Sequence, residues 1–215
     1  MNFKPKNMSW VSPKNEEYFL KIPNTVYPPR EDTDLLAKTL MKLGPGKGRK
    51  LLEIGCGSGV ISIFANSCGW KVTSCDINPL AIVASRGLAK EYNFHNINFI
   101  EEGIEPDVSN DLQIYNDGPY DLIIWNLPYL NSPKKEELLG PFEDASLADI
   151  KNGEDGNLHE LLLKKIVSKK IDWRTFRAAA GIYPMPSFYL SKIDGAGYIE
   201  KYNFSFLPGS GPYEY

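Results

Sequence analysis

Apolar residues recur along this chain with two periods, and their alternation sets out a fold. From residue 50 onward, "RKLLEIG" is a short apolar run bounded by glycine, "VISIFANSCG" carries a helical pattern closed by Gly69, and "WKVTSCD" is a second short run. "NPLAIVASRGLAKEYN" reads as a helix with Asn78 as its cap and Pro79 in the first turn, where a missing N–H is tolerated. "INFIEE" and "YDLIIWN" supply a third and a fourth strand. Strands and helices alternating in units of this size predict right-handed βαβ crossovers. The fold expected is Rossmann-like α/β, a mostly parallel central sheet with helices on both faces.

The flanks are less regular. Residues 1–25 mix Pro, Asn and Lys with aromatics and read as an N-terminal arm of low regularity, ahead of a single domain over 26–215. Pro28 and Pro29 fix an extended stretch, after which Asp32 or Thr33 can cap a helix striped by Leu35, Leu36, Leu40 and Leu43 and stopped by Gly44. Beyond the fourth strand, 131–157 is polar and loop-like, and "LHELLLKKIVSK" is an amphipathic helix. "RTFRAAAGIYP" holds a further strand, "SFYLSKIDGAGY" a short helix and "IEKYNFSF" a final strand.

Composition narrows the class without changing this picture. The chain has 215 residues, 42% hydrophobic and 24% charged, enough to bury a core without staples. Its three cysteines, Cys56, Cys68 and Cys75, form no CxxC pair and no cluster with histidine. Sparse, odd usage of this kind points to the reducing cytoplasm, and away from a disulfide framework or a bound metal. No apolar run reaches the roughly 18 residues of a membrane span, and no signal peptide heads the sequence. A net charge of −3 argues against strong binding to a nucleic-acid backbone, while leaving room for a local basic patch.

Candidate chemistry lies at the strand ends. "LLEIGCGSG" places Gly55, Gly57 and Gly59 directly after the first strand of the sheet, where the chain must turn sharply and a ligand needs close backbone approach. The next strand ends at Asp76, whose carboxylate can take both ribose hydroxyls of an adenosine cofactor. A dinucleotide site wants G-x-G-x-x-G; here the spacing is G-x-G-x-G, and Val60 stands where the third glycine would be. S-adenosylmethionine has no pyrophosphate to seat on the helix, and "EIGCGSG" with "CDIN" is similar to the first two motifs of class I methyltransferases. A glycine-rich turn that binds nothing is the plainer alternative, and it leaves the destabilising effect of three close glycines without an offset.

The fourth strand, apolar over Leu122, Ile123, Ile124 and Trp125, runs straight into Asn126, Leu127, Pro128 and Tyr129. These four resemble the Asn-Pro-Pro-Tyr pattern of methyltransferases that modify a planar nitrogen, with Leu127 for the first proline. Such a nitrogen is a poor nucleophile because its lone pair is delocalised. Two acceptors gripping its N–H bonds, the Asn126 side-chain oxygen and the backbone carbonyl of residue 127, aim that lone pair at the methyl, and Tyr129 can stack on the flat group. With leucine at 127 the restraint a proline imposes on its predecessor moves from Asn126 to Leu127, leaving a looser site. A strand-ending loop with a satisfied asparagine is the alternative.

Three pieces together, "YPPREDTDLL" (27–36), "LLEIGCGSG" with "CDINPLAI", and "WNLPY", resemble the HemK/PrmC group of class I methyltransferases, in particular its archaeal and eukaryotic branch. "NGEDG" at 152–156 also looks like that group's Gly-Asp-Gly-type loop. The resemblance implies a cofactor site from Glu31, Asp32 and Thr33 folded over the donor, with Glu53, Gly55, Cys56, Gly57 and Gly59, then Asp76, Ile77 and Asn78, and finally Asn126. The group often has an adenine-contacting aspartate after strand three; that position here is Gly103, with Glu101 or Glu102 as stand-ins. Relatives also complete a terminal hairpin strand, whereas this sequence stops at "GPYEY". The implied reaction is methylation of the glutamine amide in the Gly-Gly-Gln loop of release factors. Other members of the wider group modify exocyclic amines of RNA or DNA, or protein lysine, and some act with a small zinc-binding activator subunit. A non-catalytic scaffold with the same fold is the third reading, supported by Leu127 alone.

Weaker candidates complete the reading. Lys134, Lys135, Lys164, Lys165, Lys169 and Lys170 form either a basic rim or ordinary solvated faces. Asp121 is either a base or the start of a strand. His95 and His159 sit in no motif and read as surface or packing residues, and Tyr183-Pro184 is a candidate lining of the acceptor pocket.

Overall fold

The computed structural model describes residues 5–103 and 112–126, together with short strands at 176–177, 187–190 and 202–205. The chain opens with β1 (Lys6–Val11) and β2 (Glu17–Ile22), then α1 (Glu31–Lys42), β3 (Lys50–Ile54), α2 (Val60–Ser67), β4 (Lys71–Asp76), α3 (Pro79–Glu91) and β5 (Ile97–Glu101). A single turn α4 (Gln113–Asn116) precedes β6 (Leu122–Trp125), and β7 (Phe176–Arg177), β8 (Ser187–Leu190) and β9 (Tyr202–Ser205) follow. The main sheet runs β5-β4-β3-β6-β7-β8-β9, parallel from β5 through β7 and antiparallel for the last two pairings. This is the expected α/β fold. The central strands β3 and β6 are buried on both faces, which is why "LLEI" and "LIIW" show no alternation.

Three expectations need correction. The first segment is not irregular: β1 and β2 form an antiparallel hairpin in which Trp10 opposes Tyr18. Along β2, Tyr18, Leu20 and Ile22 are buried while Glu17, Phe19 and Lys21 face out, a period of two hidden among prolines and lysines. Trp10 Nε1 donates to Asp34 on α1 at 2.8 Å, the Phe19 N–H donates to Tyr92 Oη at 2.7 Å, and the hairpin's apolar face joins the core that covers the sheet. Second, α1 starts at Glu31 rather than behind an Asp32 or Thr33 cap. Arg30 is its N-cap, and Thr33 reaches back so that the Arg30 N–H donates to its Oγ1 at 3.2 Å. Glu31, Asp32 and Asp34 in the first turn complement the helix dipole. Third, residues 187–190 form a strand instead of a helix, paired on one side with β7 and on the other with β9. Neighbouring strands outweigh the weak helical signal, and Phe188 and Tyr189 are residue types that favour strands.

The topology positions the site. The chain runs outward from β3 to β4 and β5, then returns to place β6 on the other side of β3. Right-handed crossovers set α2 and α3 on one face. The strand order therefore reverses between β3 and β6, and the crevice at their C-terminal ends is where an open α/β sheet binds its ligand.

Candidate active site

The register brings the motif residues onto one rung. Ile54 is paired with Cys75 on one side and with Trp125 on the other, so the next residues, Asp76, Gly55 and Asn126, lie abreast on β4, β3 and β6. With strands about 4.8 Å apart, this row spans about 10 Å from the carboxylate strand to the asparagine strand.

The glycine loop is knitted to β4. Gly55 and Cys56 both donate to the Cys75 carbonyl, at 2.8 and 3.0 Å, and the Gly57 N–H donates to Asp76 Oδ2 at 2.9 Å. Asp76 Oδ1 accepts from the Asn78 N–H at 2.9 Å. Burial raises the Asp76 pKa, and these two N–H bonds oppose that rise by favouring the anion. Gly55 has φ of +69° and Gly57 of +52°, and a side chain on Gly55 would sit 3.3 Å from the Trp125 indole nitrogen. Gly59 serves a different purpose. It is the left-handed N-cap of α2, and an added Cβ would lie within 2.7–2.9 Å of Ser85 on α3, backbone included. Gly59 therefore sets the closeness of two helices.

Other expected residues separate in the same way. Glu53 is 4% exposed, and its carboxyl accepts from Ser62 and from Ser74, the latter at 3.3 Å. Burial dominates there, and the pKa is raised to about 8. Asn78 caps α3 by accepting from the Leu80 N–H at 3.0 Å, and its Nδ2 donates to the Thr25 carbonyl at 3.0 Å. Its side chain is thus structural at both ends. Glu102 accepts from the Gln113 and Ile114 N–H groups, at 2.8 and 3.1 Å, and so holds the start of α4. A Cβ on Gly103 would come within 1.9 Å of Ile77 Cγ2, so a side chain there requires the Ile77 side chain to move. Ile77, 36% exposed beside Asp76, offers an apolar surface at this edge. The Cys56 thiol is buried and its pKa raised by that burial.

The "EDT" segment also arrives here, though not as a free trio. Glu31 is exposed, whereas Asp32 and Thr33 are buried. Asp32 Oδ2 accepts from Asn126 Nδ2 at 3.2 Å. Asp121 is a strand-start residue: its Oδ2 accepts from the Lys50 N–H at 3.0 Å, and its own N–H donates to the Lys50 carbonyl at 2.9 Å. That position is the far end of β6 from Asn126. His95 lies at the same far edge, in a shallow depression with Lys50, Lys71 and Asn98. Leu127, Pro128, Tyr129, the 152–156 loop, the 158–169 helix, His159, Tyr183-Pro184 and the six lysines of the basic rim lie outside the described residues. One contributor was missed from the sequence. The strap at 25–27 passes over the glycine loop, with the Tyr27 carbonyl 3.8 Å from where a Gly57 Cβ would stand. Its place depends on the β1–β2 hairpin that precedes it.

The family model for the methyltransferase small domain matches residues 30–142, from the start of α1 past the asparagine motif. The chain belongs to that family. A methyltransferase domain implies S-adenosylmethionine as the methyl donor. The chain is 33% identical over 89 residues to a ribosomal protein L11 methyltransferase of Burkholderia mallei, covering 41% of this chain and 25% of that protein. It is 28% identical over 113 residues to a release factor glutamine methyltransferase of Lactococcus lactis, covering 52% of this chain and 38% of that one. The chain thus spans well under half the length of these relatives. A solved S-adenosylmethionine-dependent methyltransferase from Agrobacterium tumefaciens shares the fold, with a TM-score of 0.52 and 14% identity over 83% of this chain and 53% of that one. Among the described residues no helix is long and apolar enough to cross a membrane.

The residues fit this donor. Gly55 and Gly57 present backbone without a side chain, next to one carboxylate and one exposed apolar residue.

Proposed function

We propose that this methyltransferase belongs to the HemK/PrmC group and methylates a planar nitrogen of a macromolecule, namely the glutamine side-chain amide of a translation release factor. The supporting observation is the placement of Asn126 on the rung shared with Gly55 and Asp76, with its Nδ2 turned to Asp32. The similarity to the Lactococcus lactis enzyme, which runs over 113 residues, supports the choice of acceptor.

In this reading the Gly55–Gly57 backbone holds the amino-acid end of the donor, Asp76 accepts from the ribose hydroxyls with the lone pairs its two N–H bonds leave, and Ile77 lies along the adenine. Glu31 and the strap at 25–27 close the site from above. S-adenosylmethionine supplies an electrophilic methyl on sulfur. Asn126 Oδ1 accepts one N–H of the target amide and the residue 127 carbonyl the other, while Tyr129 stacks on its plane. Losing either acceptor leaves a buried N–H unpaired, at about 1–3 kcal/mol. Holding two reactants in line can lower a barrier by up to ~7–11 kcal/mol without a strong base.

The test is transfer of a tritiated methyl group from labelled donor to purified release factor, to ribosomal protein and to total RNA. Label in the release factor, lost when its Gly-Gly-Gln glutamine is replaced, is expected. Label confined to RNA would make the enzyme an exocyclic-amine methyltransferase, and label in ribosomal protein alone would overturn the choice of acceptor. A small zinc-binding activator subunit belongs to the proposal only if co-expression raises the transfer rate.

A further inference from the structure

Asp32 occupies an unusual place. It lies in the first turn of α1, 4% exposed, and bonds to a residue 94 positions away on another element. Its Oδ1 accepts from the Thr33 N–H at 2.6 Å and from Thr33 Oγ1 at 3.2 Å. Its Oδ2 accepts from Asn126 Nδ2 at 3.2 Å. A carboxylate accepts only, whereas an amide has one donating and one accepting end. This partner therefore decides which end of Asn126 points where: Nδ2 towards α1 and Oδ1 away from it. Among the described residues no donor reaches that oxygen.

We propose that Asp32 is a positioning residue that locks the Asn126 amide with its oxygen presented to the acceptor nitrogen. The inference rests on the function proposed above. A leucine at 127 releases Asn126 from the restraint that a following proline imposes, and the bond to Asp32 replaces it from outside the motif. Thr33 in turn fixes the carboxylate, so the orientation is set by the start of α1 and not by the strand that carries Asn126.

An isosteric exchange tests this. In D32N the Thr33 N–H still donates to the side-chain oxygen at 32, which turns the new NH₂ towards Asn126. The Asn126 amide must then rotate to accept from it, and its own NH₂ faces the substrate N–H. Methyl transfer should fall about 100-fold in kcat, the scale of losing one preorganised hydrogen-bonding group, with donor affinity by calorimetry within about threefold of wild type. The swap D32N/N126D restores the order, because the amide at 32 donates to one oxygen of the carboxylate at 126 and the other oxygen faces the acceptor. It should recover at least about tenfold over D32N. A D32N enzyme within about threefold of wild type, or one that loses donor affinity equally and gains nothing from the swap, overturns the positioning role. Asn126→Ala separates the two claims. If that variant loses transfer while D32N keeps it, only the positioning role fails; if it transfers fully, the function proposed for Asn126 fails.

Discussion

Replacing Glu53 with glutamine should remove a large part of the pH dependence of stability. Glu53 is enclosed between β3, α2 and β4, and burial lifts its pKa from the ordinary 4.5 to about 8; bonds from Ser62 and Ser74 pull it down, and the nearby Asp76 pushes it up. The folded protein therefore keeps this proton at pH values where the unfolded chain has released it. The contribution is fully present below about 4.5 and is lost as pH rises towards 8. Integrated from about pH 5 to about pH 8, the loss is roughly 3–4 kcal/mol. Glutamine has the same shape and the same hydrogen-bonding reach but no proton to lose, so the variant should become the more stable of the two as pH rises. Urea unfolding of both proteins across that range measures the difference, which cancels the other titrating groups they share. If the two stability curves stay parallel to within about 1 kcal/mol, Glu53 is ionised in the folded protein and the reasoning is wrong.

Gly59→Ala combines a φ of +82° with a clash against Ser85, and urea unfolding should show a loss of about 2–4 kcal/mol. Asp76→Ala removes the proposed ribose acceptor and the partner of the Gly57 N–H; calorimetry should show donor affinity falling at least about tenfold, and unchanged affinity would remove Asp76 from the site. Leu20→Ala, on the buried face of the hairpin, should lower stability by about 2–4 kcal/mol in the same single unfolding transition, because that face belongs to the core over the sheet.

The parallel sheet was legible because four short strand-like segments, the most apolar of them "LIIW", are separated by helical periods, and Gly55, Asp76 and Asn126 follow from where three of them stop. The hairpin was not, because Val11 and Phe19 put apolar residues on its exposed face as well and blur the period of two carried by Tyr18, Leu20 and Ile22. A residue list drawn from motif spacing also merges groups that the fold separates. Glu53, Asn78 and Glu102 stand in or beside the motifs, yet their side chains serve a buried serine pair, a helix cap and the start of α4. The bond between Asp32 and Asn126 crosses 94 positions, and no local pattern encodes it.

The most direct test is a crystal structure of the chain bound to S-adenosylhomocysteine. The account predicts the ribose hydroxyls within about 2.6–3.2 Å of the Asp76 carboxylate, the amino-acid end along Gly55–Gly57, and the sulfur on the side of the row that ends at Asn126. Density for the ligand away from that row, or a glycine loop that stays closed over it, would contradict the account.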